Sequence, residues 1–172
     1  MNIFIEHHRM VLNKLIEKNV DFMLIGGYAV NYYGYNRVTG DMDIWIKPDN
    51  SNKLLLLDAM AAMDFDEEGI NAIKSWDFTT PQIFNIFEKP QQTEFMTHIS
   101  GIKYDEAKQT AIQANIDGIA IPLIHIQSLI KNKKISGRSK DLTDAEELEK
   151  ILHLKIKACD QTHPLFRQPC LS

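Results

Sequence analysis

The chain has 172 residues, 44% of them hydrophobic and 24% charged. That is the make-up of one water-soluble globular domain with enough chain to bury a core. Its net charge of −4 gives no global pull toward nucleic acid or an anionic membrane, so any anion site must be a local patch. Cys159 and Cys170 show no metal-binding spacing; one disulfide between them stays open, but a reduced, cytoplasmic protein is the simpler expectation. The opening MNIFIEHHRM carries Glu6 and lacks the apolar run of a signal peptide, and no stretch reaches the ~20 apolar residues of a membrane span.

Residues 4–18 place Phe4, Val11 and Leu15 on one stripe with Ile5, Leu12 and Ile16 beside it, a helical period. Phe22 to Ile25 is a short apolar run ending at Gly26-Gly27, which predicts a buried strand entering a tight turn. Tyr28 to Tyr33 follows as a short helix stopped by Gly34. Asp41 to Lys47 is a strand halted by Pro48, and Ser51 to Met63 a helix capped by Asp49 or Asn50. Ile83–Glu88 and Thr93–Ile99 are two strands around a turn containing Pro90. Tyr104 to Ala111 is helical, and Asp117-Gly118 marks a hairpin within Asn115–Ile121. His125–Ser136 and Leu142–Ala158 close the chain as helices, with Asp141 as the expected cap of the last. The expected organisation is one domain over residues 1–159 and a loose tail over 160–172.

The chemistry concentrates in Asp41-Met42-Asp43-Ile44-Trp45-Ile46. Strand side chains alternate, so Met42, Ile44 and Ile46 share an apolar, core-facing side and Asp41 and Asp43 share the other. Two carboxylates at that spacing repel, and a divalent cation between them reverses the sign of the interaction. An acidic pair at i, i+2 also suits the solvated face of an edge strand, so the pair alone does not decide. Upstream, Gly26-Gly27 follows an apolar strand and opens a helix, where backbone N–H groups favour phosphate. Arg37 and Thr39 stand just before the acids; Arg37 could brace phosphate or pair with a nearby acid. Lys131, Lys133, Lys134, Arg138 and Lys140 make the densest positive stretch, which suits a solvated helix end or an RNA backbone. The six histidines show no ligand spacing, and Tyr28, Tyr32, Tyr33 and Tyr35 suit packing.

Leu24-Ile25-Gly26-Gly27-Tyr28-Ala29-Val30, followed by Arg37-Val38-Thr39-Gly40-Asp41-Met42-Asp43-Ile44, resembles the signature of the nucleotidyltransferase (polymerase-beta-like) superfamily. Within it the chain is similar to small bacterial members related to AbiEii-type toxins and to aminoglycoside and lincosamide nucleotidyltransferases. The resemblance runs on through Thr97-His98-Ile99-Ser100-Gly101, Ile121-Pro122 and Lys133 to Leu142, covering most of residues 20–150.

That resemblance implies an α/β (α+β) nucleotidyltransferase fold, a mixed twisted sheet with flanking helices. It implies a third carboxylate at Glu94, where the family normally has aspartate, and triphosphate contacts from Lys133 and Arg138. The implied activity moves a nucleoside monophosphate from a nucleoside triphosphate to a hydroxyl acceptor (small molecule, protein or tRNA) with two Mg2+ ions on Asp41, Asp43 and Glu94. The competing expectation is a non-catalytic or regulatory relative, such as a toxin–antitoxin partner that binds another protein. Glu94 in place of aspartate and the short chain both point that way. A DxD phosphatase does not fit, because its downstream Thr is replaced by Ile44-Trp45.

Overall fold

The computed structural model describes residues 4–89 and 91–162. In chain order the elements are α1 (Glu6–Glu17), β1 (Phe22–Leu24), α2 (Gly26–Tyr33), β2 (Met42–Ile46), α3 (Asn50–Ala61) and α4 (Glu67–Lys74). They continue as β3 (Ile83–Ile86), β4 (Thr93–Met96), α5 (Tyr104–Thr110), β5 (Ile112–Ile116), β6 (Ile119–Leu123), α6 (Ile126–Ser136) and α7 (Ser139–Thr162). All six strands join one mixed sheet in the order β3-β4-β2-β1-β6-β5. β1 is antiparallel to β2 and parallel to β6; β2 is parallel to β4; β3 and β5 close the two edges as antiparallel partners of β4 and β6. The expected mixed α/β fold is the one observed.

Local chemistry explains most boundaries. Asp49 caps α3 by accepting the N–H groups of Ser51 and Asn52, and Gly34 ends α2 in the left-handed region at φ 113°. Asp117 and Gly118 both take positive φ, 53° and 82°, the backbone of a tight two-residue hairpin between β5 and β6. Met42, Ile44 and Ile46 are fully buried, as their alternation requires.

Four features depart from the sequence reading. Helix α4 lies where no element was expected. Asp66 caps it through the Gly69 N–H; it is only eight residues long and sets just Ile70 and Ile73 against the core, too short an apolar stripe to read as a helix. Helix α2 begins at Gly26, so the glycine pair forms its first turn. Helix α7 begins at Ser139, which puts Asp141 inside the first turn instead of at the cap. Finally, the acid side of β2 is open only at its start. Trp45, on that side, is buried edge-on against Tyr104 at 5.1 Å and donates its indole N–H to Thr97 O at 3.0 Å. Residues 163–172, with Cys170 and most of the expected tail, and the Cys159 side chain lie outside the described residues. Among the described residues no helix is long and apolar enough to cross a membrane.

Candidate functional site

The parallel pairing of β2 with β4 sets Met42 opposite Thr93, Asp43 opposite Glu94 and Trp45 opposite Met96. Facing residues on neighbouring strands point to the same side, so Asp43 and Glu94 stand next to each other at the open end of the sheet. Asp41 precedes β2 and completes an acidic face of Asp41, Asp43 and Glu94. Burial pushes the Asp43 carboxyl up; the Gly27 N–H and the positive charge of Lys133 oppose that push, and Asp41 adds to it. Burial also raises Glu94, and the charges of Asp43 and then Asp41 raise it further.

Helix α2 reaches this face with its first turn. Gly27 donates its N–H to Asp43 Oδ2 at 3.3 Å. Gly26 holds φ +62°, and a Cβ there would collide with the Asp43 carboxylate. A Cβ on Gly27 would collide with Thr39, whose hydroxyl lies 3.4 Å from Asp41 O. Both glycines are therefore required by the close approach of the helix start to the acids. The Asp41 carboxylate pairs with Lys89, on the turn after β3, at 3.5 Å.

The basic residues separate into two groups. Lys131 and Lys134 pair with Glu106 and Glu149, away from the acids. Lys133 is buried and reaches both Asp141 and Asp144, at 2.5 and 3.0 Å. Arg37 meets the same Asp144 with a two-pronged contact, 2.8 Å from Nε and 2.9 Å from Nη2, which realises the acid-pairing alternative for this residue. Arg138 is largely exposed on the turn between α6 and α7 and holds Asp141 through Nε. Its charge also acts on Asp43 and Glu94. Three cations thus face two carboxylates, leaving one net positive charge beside the acidic face.

The structure brings Gly26, Gly27, Asp43 and Glu94 together, with Asp41, Thr39 and Arg138 around them. Lys133 and Arg37 form the layer behind. Asp144 and Lys89 did not stand out in the sequence. The one signal for Asp144 was its i, i+3 spacing from Asp141 opposite a basic stretch. Among the described residues, no three acidic, histidine or cysteine side chains are already gathered into a cage for an ion. The donor chemistry nevertheless fits a hard divalent cation: all carboxylate oxygen, with Asp43 and Glu94 raised first by burial and further by neighbouring negative charge that an ion would relieve.

A family model described as "Nucleotidyl transferase of unknown function (DUF2204)" matches residues 5–162. The chain belongs to this family. Its membership makes it a nucleotidyltransferase, in line with the polymerase-beta-like resemblance of its motifs. No curated protein sequence shows significant similarity to it. Among solved structures, the fold is similar to the solution structure of the antibiotic-resistance factor ANT(2'')-Ia, with a TM-score of 0.53 and 12% identity over 91% of this chain and 95% of that one. It is also similar to the crystal structure of the lincosamide antibiotic adenylyltransferase LnuA with lincomycin bound, with a TM-score of 0.51 and 15% identity over 88% and 99% of the two chains. A third is the crystal structure of ANT(2'')-Ia in complex with adenylyl-2''-tobramycin, with a TM-score of 0.51 and 12% identity over 91% and 97%. At such identities the likeness establishes a shared fold.

Proposed function

We propose that this family member moves a nucleoside monophosphate from a magnesium-bound nucleoside triphosphate to a hydroxyl group on a small molecule. The observation that carries this reading is the adjacency of Asp43 and Glu94 beside the glycine-opened start of α2. Asp41, Asp43 and Glu94 would hold the ions, which supply positive charge against the phosphoryl oxygens.

The chain's own groups then have distinct tasks. The Gly27 N–H, freed from Asp43, seats a phosphate oxygen at the positive end of α2. Glu94, set directly beside Asp43, is placed to receive the proton of the acceptor hydroxyl. The acceptor oxygen bonds to the α-phosphorus in line, the α–β anhydride bond breaks, and pyrophosphate leaves with the bonding electrons. Arg138, exposed and near the acids, faces the departing charge. Lys133 and Arg37 act behind it by fixing α7 and the Thr39 loop through Asp144.

LnuA was solved with lincomycin and ANT(2'')-Ia with adenylyl-2''-tobramycin, which supports a small hydroxyl compound as acceptor and an adenine nucleotide as donor. A regulatory reading has one observation in its favour, the burial of Lys133 in ion pairs with Asp141 and Asp144. Calorimetry separates the site from its absence: magnesium-dependent ATP binding is expected in the unaltered protein and lost in the Asp41→Asn, Asp43→Asn double variant. Pyrophosphate release against a panel of hydroxyl compounds then distinguishes turnover from binding alone.

A further inference from the structure

His8, in the first turn of α1, is completely buried. Its Nε2 lies 3.2 Å from the carbonyl oxygen of Gln92, and its Nδ1 lies 3.0 Å from the Tyr28 hydroxyl. A carbonyl only accepts, so Nε2 carries the proton; Nδ1 of the neutral ring then accepts from the tyrosine hydroxyl. The tautomer is dictated by its two partners.

Those partners belong to the two halves of the site. Tyr28 directly follows Gly26-Gly27 in the first turn of α2, and its ring meets His8 edge-on at 5.5 Å. Gln92 leads into β4 two residues before Glu94, and its carbonyl also accepts the Met42 N–H at 3.0 Å. Met42 stands between Asp41 and Asp43. One imidazole therefore ties the helix start to the strand ends that bear all three acids. A leucine or phenylalanine would satisfy burial alone. Histidine adds a donor and an acceptor directed at two different elements, with no water needed to complete either bond.

We infer that His8 is a positioning residue for the nucleotide-transfer site: through its Nε2–H tautomer it fixes the spacing between the phosphate-seating turn of α2 and the carboxylates on β2 and β4. The inference rests on the proposed function. His8 touches neither nucleotide nor acceptor; it acts through Tyr28 and the Gln92 carbonyl. Misplacement of reacting groups by 1 Å can cost on the order of a hundredfold in rate, so one buried ring at this junction has leverage.

The test uses the full chain, Mg2+ and a non-hydrolysable ATP analogue, with His8→Leu, His8→Gln and Tyr28→Phe. His8→Leu is expected to weaken magnesium-dependent nucleotide binding by about tenfold. His8→Gln, which keeps a donor and an acceptor, restores much of it. In an Asp41→Asn background His8→Leu adds no further loss, because the platform it positions is already disabled; a packing role gives additive losses instead. Wild-type affinity in folded His8→Leu overturns the inference and leaves the site reading intact. If His8→Leu does not fold, Tyr28→Phe decides, and unchanged affinity in that variant likewise overturns it. Absence of magnesium-dependent binding in the unaltered protein removes the site reading and this inference together. Independently of any nucleotide, long-range 1H–15N NMR reads the tautomer, and an Nδ1–H ring or an imidazolium at neutral pH excludes the proposed geometry.

Discussion

Asp43 and Glu94 are facing residues on the parallel strands β2 and β4, two like charges set side by side at the open end of the sheet. The Gly27 N–H and the charges of Lys133 and Arg138 offset the cost of that placement only in part. Like charges directly across a strand pair are destabilising, and both carboxyls are raised by burial before any charge is counted. Under the proposed function, a bound cation offsets that cost.

Magnesium should therefore stabilise the protein. At a hundred times its dissociation constant a ligand adds about 2.7 kcal/mol, which raises the melting temperature by several degrees in a domain of this size. Differential scanning fluorimetry across a magnesium titration should show that rise in the unaltered protein. The Asp41→Asn, Asp43→Asn double variant should show none, and should melt higher than the unaltered protein when magnesium is chelated.

Gly26→Ala should damage both fold and site. The new Cβ meets the Asp43 carboxylate, and the backbone there holds φ +62°. A loss of about 1–3 kcal/mol is expected in urea denaturation, together with loss of nucleotide binding. Gly40→Ala is the matched control. It has open space around its Cβ position, and its stability should change by less than about 1 kcal/mol.

Asp144→Asn should destabilise the protein strongly. Its carboxylate is 1% exposed and holds both Arg37 and Lys133. Removing one partner of a buried ion pair leaves the other charge uncompensated, at about 3–5 kcal/mol. The unfolding midpoint measures that cost. Near-wild-type stability would show that the two cations find other partners.

The pH dependence of stability has a defined acid limb. Burial alone would raise the Asp141 carboxyl, but hydrogen bonds from Lys133, Ser136 and Arg138 outweigh it and hold the group at about 2. A depressed carboxyl contributes stability above its unfolded value of about 3.9, and that contribution is lost as pH falls toward 2. The contribution is on the order of 2 kcal/mol. Asp141→Asn should therefore be destabilised at pH 7 and should converge with the unaltered protein as the pH approaches 2, as read from chemical denaturation at each pH.

Local rules made much of this protein legible in one dimension. The alternation over residues 41–46 assigned Met42, Ile44 and Ile46 to the core, and Asp117-Gly118 fixed a hairpin, because side-chain period and turn backbone are properties of neighbouring residues. The glycine pair marked where a helix start could approach a ligand, for the same reason. Glu94 entered only through resemblance, since nothing adjacent to it distinguishes a site residue from a solvated strand position. What placed it beside Asp43 was the parallel register of β2 and β4, which is settled by sheet topology and the burial of the whole core. The same holds for Asp144, which meets Arg37 across 107 residues of chain, and for His8, whose partners lie on two other elements. Residue type and local spacing told which groups could do chemistry; only the packing of distant segments decided which of them stand together, because a contact's partner is chosen by the fold's total burial and not by its neighbours in sequence.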